Sequence, residues 1–241
     1  EHNLFNFNRL EALYRTEEYS FDPVLLKEFY TQKVENTLGI SVFKNARAQT
    51  AHTDGQEWML EIISNEAQTS NFKLQTPVAI NATYAATNAI NRLFGVEDLA
   101  LTHEISEIAF VNSPQFNGKG LTVMDGPFGS IMPYGLSGLL SLSSVAYTHH
   151  KISYDNLPRF DCQTAEDPRC RPEAPGVCTD CPRRPDTNAY KMLAQMRQYF
   201  SETVQFEHLF SYFTIKSKLK ASHIDDGRPT EISMLRTEPR F

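Results

Sequence analysis

The stretch Pro77-Val78-Ala79-Ile80-Asn81-Ala82-Thr83-Tyr84-Ala85-Ala86-Thr87-Asn88 decides the reading of the fold. Its first half, Pro77 to Ala82, reads as a short buried strand. Its second half runs through small residues into a helix expected to reach Leu93 and stop at Gly95. A buried strand feeding a helix through such a turn is a unit of an α/β sheet. Ligands bind outside the carboxyl ends of such strands. Asn81 and Thr83 also have a plainer reading, as caps of the following helix.

Upstream, Asp22-Pro23 marks a helix start: a capping carboxylate, then a proline suited to the first helical position. Leu26, Tyr30, Val34 and Leu38 follow at four-residue spacing, and Gly39 ends the helix. Ile40 to Phe43 is expected to begin a strand. Residues 46–52 and 57–63 flank Asp54-Gly55, a strong hairpin signal. Trp58, Leu60 and Ile62 give the second arm one apolar face, and residues 73–76 read as polar.

Downstream, residues 101–112 read as a strand carrying Ile105, Ile108 and Phe110, and Leu121 to Met124 as another. Leu139 to His149 alternates as one long strand with Val145, Tyr147 and His149 on one face. His150 then falls on the opposite, solvated face. Residues 161–186 hold five of the 13 prolines and all four cysteines, which excludes a long helix or a central strand. Ala189, Leu193, Met196 and Phe200 mark an amphipathic helix. Phe213, Ile215, Ser217 and Leu219 mark a long strand whose Lys216 and Lys218, with Lys220 beyond, face water. The fold class expected is α/β (α+β), with a mixed, largely antiparallel sheet.

The 241 residues, 41% hydrophobic and 22% charged, suit one large soluble domain or two small ones. A net charge of −6 argues against nucleic acid, whose phosphates need clustered Lys and Arg. No apolar run approaches the roughly 20 residues of a membrane-spanning helix, so no membrane is expected. The N-terminus has no basic segment followed by an apolar one, so a cytoplasmic location is expected. It also lacks Met, as in a trimmed chain or one that begins inside a longer protein.

The cysteines are Cys162, Cys170, Cys178 and Cys181. The last two form Cys-x-x-Cys, which lets one turn present two thiolates to a tetrahedral ion. Four local thiols in a proline-rich loop with little core of its own suggest a structural zinc. Disulfides or free thiols are the alternatives, and the spacing matches neither ferredoxin pattern.

The ordered set of Asp22-Pro23 helix, hairpin, Val78–Tyr84 segment, meander and Asp226-Gly227-Arg228-Pro229 turn resembles FAD-dependent oxidoreductases of the D-amino-acid-oxidase-like superfamily. The resemblance covers most of residues 18–110 and 205–235, and Met124-Asp125-Gly126-Pro127-Phe128 also looks like members of it. Ile80-Asn81-Ala82-Thr83-Tyr84 resembles the family's return strand, and Asp226-Gly227-Arg228-Pro229-Thr230 its Asp-Gly-x-Pro turn beside the flavin ring.

The resemblance implies a substrate domain interleaved with part of a Rossmann-like FAD domain. Residues 1–76 would be the substrate-side helix and hairpin region, and 77–95 the return strand and helix of the FAD domain. Residues 96–221 would be the substrate or cap domain with the Cys-rich loop 161–186, and 222–241 the return turn. It also implies FAD held by Asn81, Ala82, Thr83, Tyr84, Gly227, Arg228, Pro229 and Thr230. Arg228, Tyr134, Tyr147 and His149 would face a small-molecule substrate bearing an amine or alcohol. The family's Gly-x-Gly-x-x-Gly loop, which seats the pyrophosphate on a helix N-terminus, has no counterpart here. The expectation is therefore a middle segment that works with the remainder of the FAD domain. Plainer readings stand beside these: Arg228 as a solvated arginine, and Tyr134, Tyr147 and His149 as half-buried structural residues. The rival for the whole chain is a non-enzymatic, zinc-stapled binding or assembly module.

Overall fold

The structure, a computed structural model, describes residues 2–17, 19–64, 71–124, 126–165, 167 and 169–220. In chain order its main elements are α1 (Pro23–Glu35), β1 (Ala46–Thr53), β2 (Trp58–Ser64), β3 (Phe72–Thr76), α2 (Thr87–Leu93), β4 (Leu101–Asn112), β5 (Leu121–Val123), β6 (Gly129–Pro133), β7 (Leu140–Ser144), β8 (His149–Ser153), α3 (Ala189–Arg197) and β9 (Glu207–Leu219). They form two sheets, a three-stranded β1-β2-β3 and a six-stranded β5-β6-β7-β4-β8 with β9 paired to β4. The class is mixed α+β with antiparallel sheets. The chain divides into two compact units: Glu1–Thr37 with Ile105–Lys151 and Val177–Thr214, and Leu38–Glu104 with Ile152–Gly176 and Ile215–Phe241.

In the first unit, Asp22 caps α1 as expected, its Oδ1 accepting from the Val24 and Leu25 N–H groups at 2.8 and 3.0 Å. The four-residue apolar repeat, however, covers nothing. Leu26, Tyr30 and Val34 are exposed, and Leu38, 99% exposed, lies beyond the helix. The core lies instead where β4, β6 and β7 meet α3. It holds Ala109, Val111, Ile131, Leu140 and Leu142 with Met192, Leu193 and Met196. Gly129 makes that approach possible, since a Cβ there would sit 2.6 Å from Met196 Sδ. The single long strand expected over 139–149 is broken. After β7, Ser144 O accepts from the N–H groups of Tyr147 and Thr148, and this turn starts a separate strand, β8.

In the second unit, the hairpin forms as expected. Thr53 pairs with Trp58 and Ala46 with Ser64, with a register shift between Ala48 and Thr50. Asp54 Oδ1 closes the turn by accepting from Gln56 N and Glu57 N, and Gly55 takes the positive φ of 93°. Residues 73–76, which read as polar, lie in a third strand on β2, Phe72–Thr76. A strand at a sheet edge has one wet face, so polar side chains such as Lys73, 3.2 Å from Glu61, are compatible with it. Trp58, Leu60 and Phe94 make the core, the Trp58 and Phe94 rings meeting edge to face at 4.7 Å. Ile40 to Phe43 form no strand.

Residues 77–82 correct the expectation of a buried strand. Ala79 packs on the Trp58 core, but Val78 is 46% and Ile80 87% exposed. Val78 makes a single β-bridge, and no strand forms over this segment. An apolar run becomes a buried strand only where neighbours take up its backbone groups. The helix that follows, α2, ends as expected before Gly95, which has φ 68°.

Candidate functional site

Residues 81–84 form a turn fixed almost entirely by one side chain. Asn81 Nδ2 donates to Thr87 O at 2.9 Å and to Asn91 Oδ1 at 2.8 Å. Its Oδ1 accepts from Thr83 N at 3.2 Å and from Thr83 Oγ1 at 2.7 Å. The capping alternative fails here. The residues at the helix-entry positions, Thr83 and Ala86, make no side-chain cap, and Asn81 spans the turn instead. Thr87 Oγ1 donates to Tyr84 O at 2.7 Å, closing the far side.

Tyr84 has φ 52°, a left-handed conformation that costs a bulky L-residue energy and persists only where its surroundings impose it. Asn81 is half-buried, whereas Ala82, Thr83 and Tyr84 are exposed. The anchor therefore lies behind and the small side chains in front. Behind the anchor, Asn91 and Asn88 are buried on α2, and Asn88 Nδ2 donates to Leu99 O and Asn156 O, both at 2.8 Å. The turn carries no acid or base. It offers a fixed, exposed backbone and the hydroxyls of Thr83 and Tyr84, the equipment of a binding surface.

The other sequence candidates do not converge with one another. Tyr134 stacks edge to face on Phe110 at 4.9 Å, in an aromatic cluster with Phe210 and Tyr212. Tyr147 lies in the turn between β7 and β8, packs partly against the core, and offers its carbonyl to Asn188 Nδ2 at 3.1 Å. His149 Nδ1 lies 3.1 Å from Ser106 Oγ. The expected common strand face for Tyr147 and His149 is therefore corrected, because the turn separates them. Gly227, Arg228, Pro229 and Thr230 lie outside the described residues.

The zinc expectation is corrected as well. Among the described residues, no group of three His, Cys, Asp or Glu side chains is placed to hold a metal ion. No disulfide joins Cys162, Cys170, Cys178 or Cys181. Cys170 Sγ instead accepts from Gly176 N at 3.2 Å and Gln163 Nε2 at 3.6 Å. Farther along, Thr179 exchanges hydrogen bonds with the Phe213 backbone, and the Arg184 guanidinium lies over the Phe213 ring at 5.4 Å. Polar contacts do here what a metal was invoked to do.

One cluster escaped the sequence reading. Glu107, in the middle of β4, is wholly buried. His150 Nε2 donates to it at 2.8 Å and Asn188 N at 2.8 Å, and the Thr187 hydroxyl donates as well. Burial pushes the Glu107 carboxyl up, yet the bonds from Ser211, Thr187, Asn188 and His150 outweigh it and leave it below the usual carboxylate range. His150, expected in solvent, is buried. Thr187 Oγ1 also accepts from Ala189 N at 3.0 Å, so the cluster satisfies the orphan N–H groups at the start of α3. With both partners buried, it is a lock on that helix. The signal for it in the sequence is the run His103-Glu104-Ile105-Ser106-Glu107, four polar residues about one isoleucine inside a strand.

No family model and no curated protein matches this chain. Solved structures do. BexE, studied for oxidation during BE-7585A biosynthesis, is 11% identical with a TM-score of 0.37 over 85% of this chain and 34% of its own. CabE, described as an aromatic hydroxylase from angucycline biosynthesis, is 13% identical with a TM-score of 0.34 over 83% of this chain and 34% of its own. AlpK is 11% identical with a TM-score of 0.37 over 90% of this chain and 35% of its own. The chain thus spans about a third of the length of each, and likeness at this level assigns neither fold nor function. Among the described residues, no helix is long and apolar enough to cross a membrane.

Proposed function

We propose that this chain is the substrate-side portion of a FAD-dependent oxidoreductase of the D-amino-acid-oxidase-like type. It would act in the cytoplasm on a small molecule bearing an amine or alcohol, together with the remainder of the FAD domain. The observation that carries the reading is the path of the chain. It leaves one compact unit for the other after Thr37, Glu104, Lys151, Gly176 and Thr214. Repeated crossing of this kind is what the sequence resemblance implies, and a single-pass binding module has no need of it.

The residues fit the cofactor in part. The turn at 81–84 offers a fixed, exposed backbone with the small side chains of Ala82 and Thr83 outward, as close approach of a planar group requires. The glycine-rich seat for the pyrophosphate has no counterpart in the sequence. When bound, FAD supplies acceptance of a hydride from the substrate carbon, and the protein supplies orientation and electrostatics. In this reading Asn81 holds the cofactor-facing turn, Ala82, Thr83 and Tyr84 line it, and Gly227, Arg228, Pro229 and Thr230, outside the described residues, bind the same cofactor. Tyr134, Tyr147 and His149 do not converge and take no part in this reading.

The test is the visible absorption spectrum of the purified full-length protein. Flavin bands are expected, and Asn81→Ala is expected to lower flavin content while the protein stays folded. A flavin-free full-length protein that takes up no added FAD refutes the reading. The isolated 241-residue chain is expected to bind FAD weakly.

A further inference from the structure

Tyr84 is held from two directions, and the second has no part in the sequence argument. Its hydroxyl oxygen accepts from the backbone N–H of Ser217, in β9, at 3.2 Å. The Ser217 hydroxyl lies 2.7 Å from Nδ1 of His103, in β4, and Nε2 of that ring lies 3.3 Å from Asn156 O. A carbonyl only accepts, so Nε2 carries the proton and Nδ1 takes the hydrogen of Ser217. The imidazole is wholly buried, and burial pushes it below the ordinary histidine range, which favours this neutral form. Asn156 O also accepts from Asn88 on α2, so the chain from Tyr84 through Ser217 and His103 returns to the helix that the turn leads into. The left-handed Tyr84 backbone is thus bracketed by Asn81 at its start and by this tether at the end of its side chain.

We propose that Ser217 and His103 are positioning residues that hold Tyr84 in its left-handed conformation, and so fix the face that the 81–84 turn presents to the flavin. This rests on the functional reading above. An exposed loop residue with φ 52° relaxes toward the common regions unless something holds it. A tyrosine hydroxyl tied to strand backbone does that at the far end of a rigid side chain, while Asn81 sets the near end. Neither Ser217 nor His103 needs to touch the cofactor.

The test uses the full-length protein with its flavin and four variants: Tyr84→Phe, Ser217→Ala, Ser217→Thr and His103→Phe. The two readouts are amide hydrogen exchange over residues 81–86 and the position and retention of the flavin bands. Tyr84→Phe keeps the ring and removes the acceptor. It is expected to speed exchange across 81–86 about five-fold, the scale of one ordinary hydrogen bond, to shift the flavin bands and to weaken flavin retention by a similar factor. Ser217→Ala and His103→Phe should act in the same direction. Ser217→Thr keeps a hydroxyl for His103 Nδ1 and should restore both readouts, which a general loss of packing would not produce. Unchanged exchange in Tyr84→Phe overturns the tether. Faster exchange with an unmoved spectrum and unmoved retention overturns the positioning role. A full-length protein without flavin overturns the functional reading and the positioning role together, while exchange still reports whether the tether exists.

Discussion

Removing the Glu107 carboxylate should unlock α3. Glu107→Ala deletes the acceptor for His150 Nε2, Asn188 N and the Thr187 hydroxyl at a site with no access to water. Each buried donor left without a partner costs about 1–3 kcal/mol. Three donors lose their acceptor and can relax in part together, so about 3–5 kcal/mol is expected in all. That is a large share of the roughly 5–15 kcal/mol that holds a domain together. Urea unfolding followed by far-ultraviolet circular dichroism measures it.

Glu107→Gln retains one acceptor oxygen and should lose less, and a cycle with His150→Ala should show coupling above about 1 kcal/mol. The pH dependence gives a second check. The folded carboxyl titrates below its ordinary value of 4.5. Its contribution is therefore fully present above that value and drains away as pH falls through the folded one. Wild type should lose stability more steeply than Glu107→Gln in that acid range. A loss under about 1 kcal/mol in Glu107→Ala, with parallel acid curves, would show that the cluster does not hold the helix.

Four other outcomes are expected. Phe94→Ala should cost about 3–5 kcal/mol and shift the emission of Trp58, the chain's one tryptophan and the ring that Phe94 meets edge to face; unchanged emission would contradict that packing. Gly135→Ala should lower stability by about 1–2 kcal/mol, because Gly135 has φ 56° and a Cβ there would overlap the Asp22 carboxylate. That carboxylate also accepts from Leu136 N at 2.7 Å, and this bond, with those from Leu25 and Val24, holds Asp22 below its ordinary range, so Asp22→Ala should reduce the helical signal near neutral pH and matter progressively less as pH falls through the folded value. Cys178→Ser and Cys181→Ser should each move the thermal midpoint by less than about 2 °C, since neither serves in a metal group; a collapse of stability in either would revive the zinc reading.

How far the sequence could be read followed from the range of the interactions involved. Asp54-Gly55 announced its hairpin because the turn is made by its own atoms, Asp54 Oδ1 bonding the next two available N–H groups while Gly55 takes the positive φ. Asp22-Pro23 announced α1 for the same reason. The same local signals said nothing about which faces are covered, so an apolar repeat on α1 and an apolar run at 77–82 read as buried when both are exposed. In β4 they said nothing of Thr102, His103, Glu104, Ser106 and Glu107, polar residues that are buried.

Of the candidate site, Asn81 to Tyr84 were singled out for their small side chains and position. The bonds that fix them, to Thr87, Asn91 and Ser217, depend on how a helix and a distant strand arrive. His150 shows the limit most sharply. Taking Val145, Tyr147 and His149 as one face and His150 as the opposite, solvated one misplaced it, because the buried positions of β7 are Leu140, Leu142 and Ser144, the parity to which His150 belongs. A face assigned to the wrong parity hid the partner of Glu107, 43 residues away in sequence. No local window could hold both ends of that bond, because the pairing exists only once β8 lies beside β4 in the sheet.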